Sequence, residues 1–226
     1  MTTPAAPEAP ASAVALFGPE RVGLARRYAA LLADAGVVRG LIGPREVPVL
    51  WPRHLENCAL LAELIPGDAR VVDVGSGAGL PGAVLAICRP DIIVDLVEPL
   101  ERRCIFLSEA VAALGLGDQV RVVRARAEDR GTVVDVGGAD VVTARAVAPL
   151  SRLVRWCLPL VKPGGSLLAL KGARAAEELE VVMPELARLG GLAGRIVVLG
   201  EGPDVTRVVV IDRSARSTGQ RRERTP

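Results

Sequence analysis

The sequence predicts an α/β fold: a doubly wound, mostly parallel sheet closed by one reversed C-terminal strand and preceded by a small helical lead-in. Three observations carry this. From Arg70 onward, short valine- and isoleucine-rich runs at 70–74, 92–97, 119–124, 139–144 and 166–171 alternate with helical stretches at about 80–88, 101–115, 149–161 and 174–189, as parallel strands joined by crossover helices do. Two further strand-like runs, 195–199 and 205–211, are separated only by Gly200 to Asp204, too short for a crossover helix, so that pair is antiparallel. The first strand, finally, runs into R-V-V-D-V-G-S-G-A-G-L-P-G at Arg70 to Gly82, a strand, glycine turn and helix start of the kind that seats a nucleotide.

Taken in order, the Pro/Ala-rich residues 1–15 read as disordered. Residues 16–66 form the lead-in. Val22, Leu24, Ala25, Tyr28, Leu31 and Leu32 mark one helix that stops at Gly36, and Leu55, Cys58, Ala59 and Ala62 mark a second from Pro52 to Leu64. Residues 67–212 make the nucleotide-binding domain. Residues 213–226 read as a disordered basic tail, with five arginines (Arg213, Arg216, Arg221, Arg222, Arg224) against Glu223. That local +4 in a chain of net +2 leaves the body near −2, a distribution that fits loose contact with a polyanion or a merely solubilising tail.

Half of the 226 residues are hydrophobic, enough for one sizeable core. No uncharged apolar run approaches the roughly 18 residues of a membrane span. The N-terminus lacks the basic start and apolar centre of a signal peptide, so a cytoplasmic protein with no membrane partner is expected, taken as a monomer. Cys58, Cys88, Cys104 and Cys157 form no C-x-x-C pair and read as buried thiols, with no metal site.

Gly77 to Gly82 literally fits G-x-G-x-x-G, a weak dinucleotide signal by itself. Glu98, ending the second strand, lies where an acid holds ribose hydroxyls in dehydrogenases and methyltransferases alike. Asp73 discriminates, because a dehydrogenase strand is usually apolar there and a buried carboxylate needs partners. Those partners are either turn amides or a ligand's ammonium group, and Asp73 is taken as a cofactor-binding residue. The glycines Gly75, Gly77 and Gly79, followed by Leu80, suit an adenosyl amino acid at the strand end. Ala127 and Glu128 follow the third strand, where an adenine would lie, and Arg145 ends the fourth, where a cation meets a carboxylate or a phosphate.

W-P-R-H-L-E-N at Trp51 to Asn57, D-V-G-S-G-A-G-L-P-G at Asp73 to Gly82, A-E at Ala127-Glu128, T-A-R-A-V-A at Thr143 to Ala148, L-P-L-V-K-P-G-G at Leu158 to Gly165 and A-L-K-G at Ala169 to Gly172 together resemble one family. It is the bacterial small-subunit ribosomal RNA methyltransferase G family (glucose-inhibited division protein B), of the class I S-adenosylmethionine-dependent, Rossmann-like methyltransferases. The resemblance spans Phe17 to Ile211; its glycine turn and K-P-G-G are generic to the class, whereas W-x-R-H-L and T-A-R-A-V-A are specific to the family. It implies S-adenosyl-L-methionine as cofactor, and methylation of guanine N7 in the decoding-region loop of 16S ribosomal RNA, with the RNA or the small ribosomal subunit as partner. Gly75, Leu80, Ala127, Glu128 and Arg145 match the family's cofactor contacts, and Glu98 the ribose position. Pro52 departs, since the family commonly has an acid there.

Guanine N7 has a free lone pair and no proton to lose, so transfer to it needs positioning and no obligatory general base. The sequence agrees, with one histidine and neither the Asn/Asp-Pro-Pro-aromatic motif of exocyclic-amine methylation nor a Pro-Cys nucleophile. The catalytic candidates are therefore Arg145 and His54, the latter read mainly as a structural hydrogen-bonder. Trp51, Arg53 and His54 lie close together in the lead-in and are candidates to line the guanine pocket, with Trp51 the one to stack the base. The rival readings are a methyltransferase of the same fold acting on a small molecule or protein, and an NAD-binding oxidoreductase.

Overall fold

The computed structural model describes residues 6–201 and 205–215. Seven strands, β1 (Arg70–Val74), β2 (Ile93–Val97), β3 (Val120–Val123), β4 (Ala139–Arg145), β5 (Val161–Lys171), β6 (Gly191–Leu199) and β7 (Thr206–Arg213), form one sheet. Their order is β3-β2-β1-β4-β5-β7-β6. The first five strands are parallel, and β7 runs antiparallel to both β5 and β6, inserted between them. The short β6–β7 connection forces that reversal.

The helices are α1 (Ala11–Phe17), α2 (Val22–Leu31), α3 (Asn57–Ala59), α4 (Gly82–Cys88), α5 (Glu101–Leu114), α6 (Arg130–Val136), α7 (Leu150–Cys157) and α8 (Ala175–Leu186). Strand residues alternate between the two faces. Val71, Val94 and Leu96 join the core formed with the N-terminal helices, α4 and α5. Val72, Val74, Val142 and Ala144 join the core under α6, α7 and α8. Helices on both faces explain why the central strands read as continuous apolar runs.

Several expectations need correction. Residues 11–15 are not structureless: they belong to α1, whose Ala13 and Phe17 are buried. Phe17 meets Trp51 edge-to-face at 6.2 Å between ring centroids. The second lead-in helix is not a regular α-helix from Pro52. The path from Pro44 to Leu64 passes through a 3-10 turn, a π turn at Leu50–Glu56, α3 and another 3-10 turn. Pro48 and Pro52 have no amide hydrogen to donate there, which breaks the regular ladder. Helix α6 was not expected from R-G-T-V-V-D-V; burial of Thr132 and Val136 outweighs its poor helix propensity. β5 starts at Val161, so Lys162 to Gly165 lie inside the strand, beside a register shift on β4 between Ala139 and Val141.

Arg213 is not part of a tail either. It ends β7, and its guanidinium donates to the carbonyls of Pro159 (3.2 Å) and Val161. The other four tail arginines and Glu223 lie outside the described residues. Among the described residues, no helix is long and apolar enough to cross a membrane.

Candidate cofactor site

Chain direction brings the chemistry to one edge. The C-terminal ends of β1, β2, β4 and β5 (Val74, Val97, Arg145, Lys171) open on the same side of the sheet, where open α/β sheets bind ligands. β1 runs directly into Gly75, at φ +69, a conformation that favours glycine. There is also no room for a side chain, since a Cβ on Gly75 would come 2.6 Å from Val147.

Asp73 braces this turn from behind. Alternation along β1 sends it to the same face as Val71, toward α4. Its fully buried carboxylate accepts hydrogen bonds from Gly82 N (3.1 Å) and Thr143 Oγ1 (2.9 Å). Gly82 makes the approach possible, because a Cβ there would lie 2.8 Å from Asp73 Cβ. Burial raises the Asp73 carboxyl from 3.8 to about 6, against the opposing pull of its hydrogen bonds. The Ser76 hydroxyl donates to the Asp73 carbonyl (2.9 Å), and the buried Tyr28 hydroxyl donates to the Ala78 carbonyl.

A two-lobed crevice lies over the turn. One lobe, about 210 Å³, is lined by Gly75, Gly77 and Leu80 together with Arg103, His54 and Arg145. The other, about 200 Å³, is lined by Val97, Pro99, Ala127 and Trp156 with Arg126 and Glu128. Gly75 lines both. Glu98 is buried between them: its Oε2 accepts from Gly77 N (3.0 Å) and its Oε1 from Leu100 N (2.9 Å), with Arg103 at 3.5 Å.

On the far wall of the first lobe, Arg145 donates to His54 Nδ1, to the His54 carbonyl (3.4 Å) and to Cys58 Sγ (3.0 Å). A guanidinium only donates, so His54 Nδ1 holds a lone pair and Nε2 carries the hydrogen. Nε2 then donates to Glu46 Oε2 at 2.8 Å. Burial and the Arg145 charge lower the His54 pKa, outweighing the Glu46 hydrogen bond. His54 is a neutral imidazole with both nitrogens engaged.

Of the residues singled out in the sequence, Gly75, Gly77, Leu80, Arg145 and His54 meet in the first lobe, and Ala127 and Glu128 in the second. Asp73, Gly79 and Glu98 line neither lobe; they shape the turn from beneath. Trp51 is not available to stack a base. It is buried at 2 % exposure, and its Nε1 donates to the Pro7 carbonyl at 3.0 Å. Arg103 and Trp156 were missed. Arg103 follows Glu98 by five positions, at the opening of α5, and a search of that first turn for cations would have found it. Trp156 lay in plain view as one of two tryptophans, but nothing local tells a lining tryptophan from a core one. No group of three or more His, Cys, Asp or Glu is placed to hold a metal ion among the described residues.

Residues 22–204 match the family model described as rRNA small subunit methyltransferase G. The chain is 56% identical over 236 residues to the ribosomal RNA small subunit methyltransferase G of Salinispora arenicola, covering 96% of each chain. It is 55% identical over 208 residues to that of Corynebacterium jeikeium, covering 91% of this chain and 92% of the other. Among solved structures, a SAM-dependent O-methyltransferase from Thermotoga maritima superposes with a TM-score of 0.53 at 18% identity, over 72% of this chain and 66% of the other. Mitomycin 7-O-methyltransferase does so with a TM-score of 0.56 at 19% identity, over 88% and 75%. Those two likenesses concern the fold. With the family model spanning most of its length and relatives above half identity across nearly all of it, the chain belongs to the rRNA small subunit methyltransferase G family.

Proposed function

We propose that this chain transfers the methyl group of S-adenosyl-L-methionine to guanine N7 in the decoding-region loop of 16S ribosomal RNA. The observation that carries the cofactor reading is the two-lobed crevice meeting at Gly75, whose missing side chain keeps the junction open. A nucleobase fits the Ala127–Trp156 lobe, an amino-acid moiety fits the lobe of Gly77 and Arg145, and a ribose spans the junction over Glu98. Bound there, S-adenosylmethionine supplies a methyl group on a positively charged sulfur.

The protein's part is positional. The N7 lone pair forms the new N–C bond as the S–C bond breaks, leaving a thioether and a methylated guanine cation, with no proton to remove. Accordingly, no free base is needed, and His54 offers none, since both of its nitrogens are occupied. His54 is a positioning residue that holds Arg145 at the wall of the crevice. Arg145 stands ready for the cofactor's carboxylate or for the RNA. On this reading the chain acts in the cytoplasm, as a monomer, on RNA or on the small ribosomal subunit.

The test is incubation with labelled S-adenosylmethionine and 30S subunits lacking the modification. Label in 16S RNA supports the reading. Label in protein or small molecules, with none in RNA, selects the rival methyltransferase. Calorimetry that detects NADH but not S-adenosylhomocysteine selects the oxidoreductase.

A further inference from the structure

A third cavity, about 540 Å³, adjoins the cofactor crevice and shares His54, Arg145 and Ala146 with its first lobe. Its volume falls in the range of about 300–1,000 Å³ typical of ligand sites. Arg53, Arg145, Lys171 and Arg207 line it, and no Asp or Glu does. Two of these cations have carboxylate partners: the exposed Arg53 makes a weak surface pair with Glu46 at 3.1 Å, and the nearly buried Lys171 pairs with Glu178 at 2.8 Å. Arg145 and Arg207 have no carboxylate partner among the described residues, so the described lining of the cavity carries net positive charge.

Two observations say that this charge serves a ligand. Lys171 and Arg207 are direct register partners on β5 and β7, and with Glu178 holding only Lys171, that pair of neighbours carries one positive charge more than negative. Their neighbour in the shared wall, Ala146, is a non-glycine residue at φ +55. Strain of that kind costs roughly 1–3 kcal/mol and gathers at functional sites. Excess positive charge and unfavourable backbone thus meet on one cavity, next to the lobe assigned to the reactive end of the cofactor.

We propose that this basic cavity receives the target nucleotide of the RNA. Arg53 and Arg207 meet its backbone phosphates, and the base faces the cofactor crevice across the Arg145–Ala146 wall. The inference rests on the methyl-transfer reading above and adds the place of the substrate. It also replaces the sequence-based expectation of a Trp51 stacking platform with a charged one.

The test uses the full-length chain and a fluorescein-labelled 16S RNA hairpin, with binding followed by anisotropy over a series of salt concentrations. Arg53→Ala and Arg207→Ala are each expected to weaken RNA binding about threefold to tenfold and to lower the salt slope by about one. Affinity for S-adenosylhomocysteine stays unchanged in both, which reports an intact fold, and Arg207→Lys restores most of the RNA affinity. Wild-type RNA affinity and salt slope in both alanine variants, in protein that still labels 16S RNA, overturn the cavity and leave the methyl-transfer reading standing. A wild-type protein that labels no RNA overturns that reading, and the cavity assignment with it.

Discussion

At Asp73 a fully buried carboxylate is tolerated because an amide and a hydroxyl both donate to it. Removing it in Asp73→Ala leaves Gly82 N and Thr143 Oγ1 without their acceptor, which costs about 2–4 kcal/mol; Thr143→Val, losing one bond, costs about 1 kcal/mol. Denaturant titration checks both. The pH dependence has a definite sign. The folded-state pKa is raised from 3.8 to about 6, so this group's contribution is fully present below pH 3.8 and is lost as pH rises through about 6. Asp73→Asn is therefore expected to lack the loss of stability that the native chain shows across that window, and an identical pH profile in the variant contradicts the assignment. His54 works in the other direction. Its pKa lies below the ordinary 6.5, so acidification adds a proton that Nδ1 can accept only by giving up Arg145. Methyl-transfer rate is expected to fall as pH drops below 6.5, and His54→Asn, which keeps an acceptor but does not titrate, to flatten that limb. An unchanged limb in the variant places the titration elsewhere, with Asp73 the nearest alternative.

The elements show where sequence logic was sufficient and where it was not. The alternation of short apolar strand runs with helical stretches and the short β6–β7 connection specify the central parallel strands and the reversed one from local pattern alone. The glycine turn was legible for the same reason, since only glycine suits its backbone. The brace made by Asp73 was not legible, because brace and ligand contact ask for the same residue and its partners Gly82 and Thr143 lie 9 and 70 positions away. Helix α1 was missed because Pro and Ala say nothing about burial, and its order comes from Phe17 packing on Trp51. Phe17→Ala is expected to destabilise the fold by about 3–5 kcal/mol, measurable by denaturant titration; a loss below 1 kcal/mol would show that α1 is dispensable to the core. On α7, Trp156 lines the lobe assigned to adenine whereas Trp51 is buried away from it. S-adenosylhomocysteine is expected to change the tryptophan emission of the native chain and to leave that of Trp156→Phe unchanged. A ligand response that survives in the variant would move the adenine elsewhere.

At the scale of the molecule, one sheet edge gathers a turn from β1, an acid from β2 and a cation from β4, and the N-terminal helices close it with His54 and Glu46. The strand ends could be assembled from sequence because topology alone aligns them. The Glu46–His54–Arg145 chain could not, because its members are 99 positions apart from end to end and meet only through packing of the lead-in on the sheet. The basic cavity was legible only in part: Arg53 and Arg145 stood out in their motifs, but Lys171 and Arg207 join them from two further segments, and the near-neutral net charge of the chain conceals the cluster. The central claim is the atom that receives the methyl group. N7-methylguanine, once reduced, leaves a site where aniline cuts the RNA chain, so the modification can be read as a strand break. Subunits lacking the modification, incubated with the protein and S-adenosylmethionine, are expected to give one new break in 16S RNA, at a guanine of the decoding-region loop. Transfer of methyl label without any such break would contradict the account.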